Sequence, residues 1–223
     1  MRKFNSVYCL FEQTNTFRNE FRKAGFPAFS VDCSNKFGTP DFLTDIFKEI
    51  DFYFDGKPSI FDKFSEETLL FAFFPCTYFS DQSSLKSRGD TKQDKEKSLQ
   101  VKLIQSENQM TQRALFYSYL CKLCRIALEK NAQLIIENPH SRGGFLRQFF
   151  PIRNIVQINN RALYGDNFKK PTNFFFVNCE PSFNLLCAFE PEGKQTRIED
   201  LSGFQRSIIK PAFAENFIKN FIL

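Results

Sequence analysis

One apolar stretch limits the folds open to this chain more than any other feature. It reads Leu-Leu-Phe-Ala-Phe-Phe from Leu69 to Phe74 and ends abruptly at Pro75, Cys76 and Thr77. Six apolar residues without a polar break predict a short strand buried on both faces, as in parallel sheets, and a proline cannot continue the ladder. We therefore expect an α/β fold in which this strand delivers Cys76 to its carboxyl end, where open α/β sheets bind ligands.

A second short aliphatic strand is predicted from Gln133 to Pro139, and it ends on Glu137 and Asn138. A carboxylate at the end of a buried run is costly unless it has a partner or a task. The ends of the two strands together offer a thiol and a carboxyl group.

Length and composition favour one reduced, globular α/β domain. The chain has 223 residues, of which 42% are hydrophobic and 25% charged, the balance of an ordinary globular protein. No apolar run is long enough to span a membrane and no signal-peptide pattern is present, so we expect a cytoplasmic location. The seven cysteines are unevenly spaced, and His140 is the single histidine, so neither a disulfide framework nor a metal site is expected.

The first part of the chain reads as a βαβ unit. We predict a strand over Ser6 to Phe11, a helix over Phe17 to Ala24 and a strand over Pro27 to Val31, followed by Asp32. In nucleotide-binding α/β folds an acid at the end of the second strand accepts hydrogen bonds from ribose hydroxyls, and Asp32 fits that role. The turn before the helix has no glycine, and such turns hold the backbone farther from a ligand.

The rest of the chain alternates loops, helices and strands. Residues 35–68 are loop-rich, with one strand near Phe42 to Phe47, and the polar run 81–97 suits a mobile loop or a disordered excursion. Apolar residues at helical spacing predict core-facing crossover helices over 99–130, with Leu99, Leu103 and Leu115 among them. A helix at 145–149, a strand at 155–158, a hairpin within 164–178 and a closing helix near Pro211 follow.

Several motifs occur in an order that spans nearly the whole chain. They are Leu-Phe-Glu-x-x-x-Thr-Phe-Arg at Leu10, Asp-Cys at Asp32, Pro-Cys-Thr at Pro75, Glu-Asn-Pro at Glu137, Lys-Lys-Pro-Thr at Lys169 and Arg-Ser at Arg206. This series resembles the DNA cytosine-5 methyltransferase family, and most of all its short phage-type members. The opening departs from the family, because most methyltransferases carry a glycine-rich Phe-x-Gly-x-Gly there.

The resemblance implies a Rossmann-like S-adenosylmethionine-dependent methyltransferase fold. Its sheet would be mostly parallel, with helices on both faces and a C-terminal antiparallel hairpin. Residues 1–223 would form a single catalytic domain with no separate target-recognition domain, and 81–97 a mobile catalytic loop. A phage-encoded enzyme would act in the host cytoplasm.

The implied reaction is methyl transfer to carbon 5 of cytosine in DNA. Cys76 would add to the ring through its thiolate, which we expect backbone amides at the strand end to favour. Glu137 would assist at the ring nitrogen, Asn138 would orient the loop, and Lys170 and Thr172 would contact the pyrimidine oxygen and the catalytic loop.

The resemblance also implies two binding sets. The cofactor-binding candidates for S-adenosylmethionine are Phe11, Gln13, Thr14, Asn15, Thr16, Asp32, Cys33, Asp45, Pro75 and Ser207. Of these, Thr14, Asn15 and Thr16 would also cap the first helix, and Asp45 is alternatively a turn-forming aspartate. The nucleic-acid-binding candidates are Ser80, Lys86, Arg88, Arg142, Arg147 and Lys169. Six basic residues against one acid between Arg142 and Lys170 suit a polyanion or a solvated charged face.

Two other functions stay open at this point. The same cysteine and glutamate could modify a free pyrimidine nucleotide, because fewer than thirty residues separate Asn178 from Arg206 and leave no room for a target-recognition region. The chain could also be a catalytically inactive methyltransferase-fold protein that binds nucleic acid or protein. Sequence specificity would then be low, supplied by a partner or unnecessary, and a protein partner or a homo-oligomer is an open alternative.

Overall fold

Seven strands form one sheet in the computed structural model, which describes residues 3–140, 144–184 and 208–223. In chain order the strands are β1 (Ser6–Leu10), β2 (Ala28–Asp32), β3 (Phe42–Leu43), β4 (Thr68–Ala72), β5 (Gln133–Pro139), β6 (Ile155–Ile158) and β7 (Thr172–Val177). Their order across the sheet is β3-β2-β1-β4-β5-β7-β6.

The sheet is parallel except for β7, which runs antiparallel to both of its neighbours. β1 pairs with β2 on one side and with β4 on the other, so the order of the strands reverses between β1 and β4. Such a switch point opens a crevice at the carboxyl ends of the strands. The Rossmann-like α/β fold expected from the sequence is confirmed. The antiparallel pair is β6 with β7, so the hairpin predicted within 164–178 is wrong in its bounds, because that stretch holds the single strand β7.

Helices cover both faces of the sheet. They are α1 (Thr16–Lys23), α2 (Ile46–Phe54), α3 (Asp81–Arg88), α4 (Leu99–Glu129), α5 (Phe145–Phe149) and α6 (Pro211–Phe221), with 3-10 turns at Ile60–Lys63, Lys92–Asp94 and Arg161–Tyr164. α1 and α6 pack on one face, and α2, α4 and α5 on the other.

Alternation along β4 explains its unbroken apolar sequence. Leu69 and Phe71 face α1 and α6, whereas Leu70 and Ala72 face α4. Because successive side chains point to opposite faces, a strand covered on both sides needs apolar residues at every position.

The segment expected to be loop-rich contains α2, which sequence reasoning missed. β3 has two residues, and the predicted strand up to Phe47 is wrong because Asp45 ends the extended segment. The Asp45 side chain accepts a hydrogen bond from the Phe47 N–H at 3.0 Å and so caps α2. Ile46 and Ile50, four residues apart, bury one face of that helix.

The polar run 81–97 is folded rather than an open loop. Ser80 caps α3 by accepting a hydrogen bond from the Ser83 N–H, and Asp94 is buried with hydrogen bonds from Lys97 and Gln105. The prediction of an unstructured excursion is wrong because these polar groups satisfy one another. Movement of this segment during a reaction stays a prediction.

The sequence predicts that the apolar residues of α4 face the core, and this prediction is correct only for the second half of the helix. Leu120, Leu123 and Ile126 are fully buried, whereas Leu99 and Leu103 are exposed. A helix of 31 residues is about 46 Å long, and strands of five residues span about 17 Å, so much of α4 lies beyond the sheet. Among the described residues, no helix is both long and apolar enough to cross a membrane.

Candidate functional site

A cavity of about 360 Å³ opens at the carboxyl edge of the sheet. Its lining includes Phe11, Asp32, Cys76 and Glu137, which follow or end β1, β2, β4 and β5. These four strands are mutually parallel, so their carboxyl ends lie along one edge. The cavity therefore occupies the crevice expected at the switch point.

The thiol and the carboxyl group predicted from the two strand ends line this same cavity, together with Lys170. Asn138 holds the two strand ends together, because its Nδ2 donates a hydrogen bond to the buried Phe74 carbonyl at 3.2 Å. Its side chain thus fixes the backbone just before Pro75 and Cys76.

The Cys76 thiol is protonated more readily than an ordinary cysteine. Burial raises its pKa, the nearby Glu137 carboxylate raises it further, and Lys170 lowers it. The expectation that backbone amides would favour the thiolate is therefore wrong for the free protein, because burial outweighs them. A nucleophilic role for this sulfur would therefore require the loss of the thiol proton.

Glu137 is buried beside two cations from the connection between β6 and β7. Its Oε1 lies 3.7 Å from Lys170 Nζ and 3.9 Å from Arg161 Nη1. Both distances exceed a hydrogen bond, and no described residue hydrogen-bonds this oxygen. A buried carboxyl oxygen with unused hydrogen-bonding capacity in a cavity wall suits a ligand contact.

Arg161 was counted from the sequence as part of a basic surface, and that interpretation is wrong. Its side chain is 1% exposed, forms an ion pair with Asp166 and lies over the Phe213 ring at 4.5 Å. The positive charge of Arg161 offsets the negative charges of Glu137 and Asp166 in the protein interior. No local sequence signal distinguishes this arginine from its exposed neighbours.

The turn after β1 bends without glycine. Phe11 and Asn15 both adopt left-handed backbone conformations, with φ of 59° and 58°. A phenylalanine rarely adopts this conformation, which is commoner at functional sites than elsewhere. The Phe11 ring packs against Phe47 and Phe74, with centroid distances of 5.3 and 5.4 Å. These contacts hold Phe11 in the cavity wall.

Glu12, not the predicted residues, caps α1. Its Oε1 accepts a hydrogen bond from the Phe17 N–H at 2.5 Å, and its Oε2 accepts one from the Arg18 N–H at 3.3 Å. Asn15 makes no capping bond and donates instead to the Thr39 carbonyl, while Thr16 donates to the Ile209 carbonyl. Burial raises the pKa of Glu12 to about 7, although both backbone N–H groups oppose the shift.

Asp32 ends β2 in the cavity wall, where its Oδ1 accepts a hydrogen bond from the Ser34 N–H at 2.8 Å and burial raises its pKa. Asp45 also lines the cavity, and its side chain caps α2. The capping hydrogen bond supports the alternative prediction for Asp45, that of a turn-forming aspartate.

Most of the predicted cofactor set lines the cavity: Phe11, Gln13, Thr14, Asp32, Cys33, Asp45 and Pro75. Asn15 and Thr16 support the turn from outside the lining, and Ser207 lies outside the described residues. Seven lining residues were not among the predicted site residues: Glu12, Ile46, Phe47, Phe73, Phe74, Thr77 and Ile209. An acid just before a helix was a usable capping signal for Glu12, and the apolar residues carried none.

Thr172 and the described nucleic-acid candidates do not line the cavity. Thr172 is buried in β7, and its hydroxyl donates to the Lys170 carbonyl at 3.2 Å. Arg88 pairs with Asp90 at 2.8 Å and Ser80 caps α3. The remaining described candidates, Lys86, Arg147 and Lys169, are exposed, and Arg142 lies outside the described residues. Within the described part of the chain, no cluster of three or more His, Cys, Asp or Glu could hold a metal ion.

Fold and cavity together define a Rossmann-like α/β protein with a thiol and carboxyl groups at its switch point. No family model matches the chain, and no curated protein matches it. A solved structure of the Entamoeba histolytica methyltransferase EhMeth is similar, with a TM-score of 0.43 and 13% sequence identity over 86% of this chain. The chain covers 58% of that protein's length, and a likeness of this size adds no argument about function.

Proposed function

We propose that this chain transfers a methyl group from S-adenosylmethionine to carbon 5 of cytosine in DNA. The observation that carries the proposal is that Cys76, Glu137 and Lys170 line the same cavity as Asp32 and the turn after β1. A methyl donor near Asp32 would then lie beside a pyrimidine near Cys76. The order of the motifs, which resembles the cytosine-5 methyltransferases, supports the same reading.

The first half of the cavity suits this cofactor. Phe11, Phe47 and Phe74 offer ring surfaces to an adenine, and Asp32 can accept hydrogen bonds from ribose hydroxyls. Glu12 occupies the N–H groups at the start of α1, which otherwise favour phosphate, so the site suits a cationic cofactor without phosphates. When bound, S-adenosylmethionine supplies an electrophilic methyl group.

The second half suits the chemistry of cytosine. Carbon 5 is too electron-poor to accept a methyl group. When the Cys76 thiol gives its proton to water and its Sγ bonds to carbon 6, carbon 5 becomes enamine-like. Glu137 takes up a proton from water and donates a hydrogen bond to ring nitrogen 3 while negative charge develops there. After methylation a water molecule takes the proton from carbon 5, the double bond between carbons 5 and 6 re-forms, and the sulfur–carbon bond breaks to return Cys76 as a thiolate. A base in duplex DNA must first be flipped out of its stack.

The test is methyl transfer from tritiated S-adenosylmethionine, offered either DNA or dCMP. We expect label in DNA, and we expect Cys76→Ala to remove it because no other described thiol is placed beside Glu137. Cys121→Ala is the matched control, since that half-buried thiol lies on α4 away from the cavity and should keep activity.

Two results would replace the proposal. Label in dCMP alone would support an enzyme that acts on a free nucleotide. This alternative is favoured because Arg88 pairs with Asp90 and Ser80 caps α3, so fewer of the candidate residues are available to bind DNA. Absence of cofactor binding by calorimetry would support an inactive methyltransferase-fold binder.

A further inference from the structure

A buried pair of charges, Arg161 and Asp166, lies beside the cavity without lining it. The two side chains form an ion pair and are 1% and 0% exposed. Taking two charges out of water is costly, and apolar residues of similar size often stabilise a protein as well as such a pair does. The pair therefore points to a role other than stability.

Arg161 also approaches Glu137, which does line the cavity. Its Nη1 lies 3.9 Å from Glu137 Oε1, farther than a hydrogen bond reaches. Neither atom has a hydrogen-bond partner among the described residues. Hydrogen bonds in active sites are often long in the free protein and shorten when the substrate binds. A small movement of the Glu137 side chain would therefore join an unused donor to an unused acceptor.

The turn that carries Arg161 is fixed on α6. Asn216 of that helix donates a hydrogen bond from Nδ2 to the Tyr164 carbonyl at 3.0 Å. Gly165, with φ of 93°, permits this close approach, because a Cβ there would lie 3.0 Å from an α6 side chain. The Arg161 guanidinium lies over the Phe213 ring of the same helix at 4.5 Å. These contacts restrict the movement of Arg161 relative to the sheet.

We propose that Arg161, held by Asp166 and by α6, is a positioning residue that fixes the Glu137 carboxyl group in the cavity wall. The inference rests on the proposed function, in which Glu137 contacts the pyrimidine ring. Lys170 approaches the same Glu137 oxygen at 3.7 Å and lines the cavity, whereas Arg161 does not. Arg161 therefore acts on a ligand only through Glu137.

Alkylation of Cys76 by iodoacetamide tests the proposal without cofactor or DNA. The Glu137 carboxylate raises the pKa of this thiol, so the alkylation rate at one fixed pH reports how that carboxylate is held and offset. We expect Arg161→Met to slow alkylation, because the Glu137 charge is then offset less, and to have no effect in a Glu137→Gln background. Asp166→Asn should speed alkylation, since Arg161 then offsets Glu137 alone.

Arg125→Met is the matched control. Arg125 also pairs with a carboxylate, at 3.6 Å, and lies over a phenylalanine ring at 4.7 Å, but it is exposed on α4. Its replacement should leave the alkylation of Cys76 unchanged. Circular dichroism confirms that each variant folds. If Arg161→Met does not fold, Asp166→Asn with and without Glu137→Gln carries the test.

Methyl transfer gives a second readout. Arg161→Met should lower kcat about tenfold or more and leave the KM for S-adenosylmethionine unchanged, because Arg161 does not line the cavity. Arg161→Lys keeps the positive charge and should recover part of the loss. If the wild-type chain transfers no methyl group, the proposed function fails, and the alkylation rates still decide whether Arg161 positions Glu137.

Three results would overturn the inference. Arg161→Met could leave the alkylation rate unchanged, it could change the rate equally with and without the Glu137 carboxylate, or Arg125→Met could change it as strongly. A loss of methyl transfer in Arg161→Met with an unchanged alkylation rate would show that Arg161 supports the fold and does not act on Glu137.

Discussion

Glu137 and Lys170 act on the Cys76 thiol in opposite directions. Glu137 raises its pKa and Lys170 lowers it, on top of the larger rise from burial. We expect Glu137→Gln to lower the pH midpoint of Cys76 alkylation by iodoacetamide and Lys170→Met to raise it. Mass spectrometry of the Cys76 peptide separates this reaction from alkylation of Cys33. Unchanged midpoints in both variants would show that the two charges do not reach the sulfur.

The Glu12 carboxyl group gives the fold a dependence on pH. Burial raises its folded-state pKa from 4.5 to about 7, so the folded protein keeps a proton that the unfolded chain has lost. The protonated Glu12 carboxyl group therefore contributes stability on the order of 3 kcal/mol relative to the ionised one. This contribution is fully present below pH 4.5 and is lost as the pH rises through about 7.

Urea unfolding at several pH values measures this loss. Glu12→Gln cannot ionise, and its free energy of unfolding should change less between pH 4.5 and 7 than that of the wild type. Glu215→Gln is the control, since Lys219 lowers the pKa of exposed Glu215 and removes it from the window. Parallel curves for wild type and Glu12→Gln would contradict the assignment.

At the scale of single side chains, the sequence predicted which residues the ends of the strands bring into one cavity. Cys76 and Glu137 follow buried runs of adjacent parallel strands, so their meeting follows from topology. Arg161 and Asp166 reach the same place through a long connection before β7, and their pairing depends on packing against α6. No spacing rule encodes such a contact.

At the element scale, the turn after β1 replaces glycine with Asn15 in a left-handed conformation. Asn15→Gly keeps this conformation and loses the hydrogen bond to the Thr39 carbonyl. Asn15→Ala loses the bond and also adopts a conformation that costs alanine about 1 to 2 kcal/mol. Chemical denaturation should therefore find Asn15→Ala less stable than Asn15→Gly. The reverse order would mean that the turn relaxes to another conformation.

Most strands were predicted because composition alone identifies a run buried on both faces. α2 was missed because its start depends on one capping contact from Asp45. Helical periodicity gave α4 an apolar face, but it cannot say which half of a helix is covered. That depends on how far the sheet beneath it extends.

At the scale of the whole molecule, the two cores have different sequence origins. The core beneath α2, α4 and α5 draws on the middle of the chain. The core on the other face joins α1 near one end of the sequence to α6 near the other, through Phe17, Phe213 and Phe217. Contacts between residues so far apart are reached slowly in folding.

The long sequence separation between α1 and α6 has a consequence during protein synthesis. While a ribosome is still translating the residues before α6, Phe17, Phe21 and Phe71 have no helix α6 to cover them and present a row of aromatic rings to the cell. The nascent polypeptide therefore exposes this apolar face until residues 211–221 are made and can cover it.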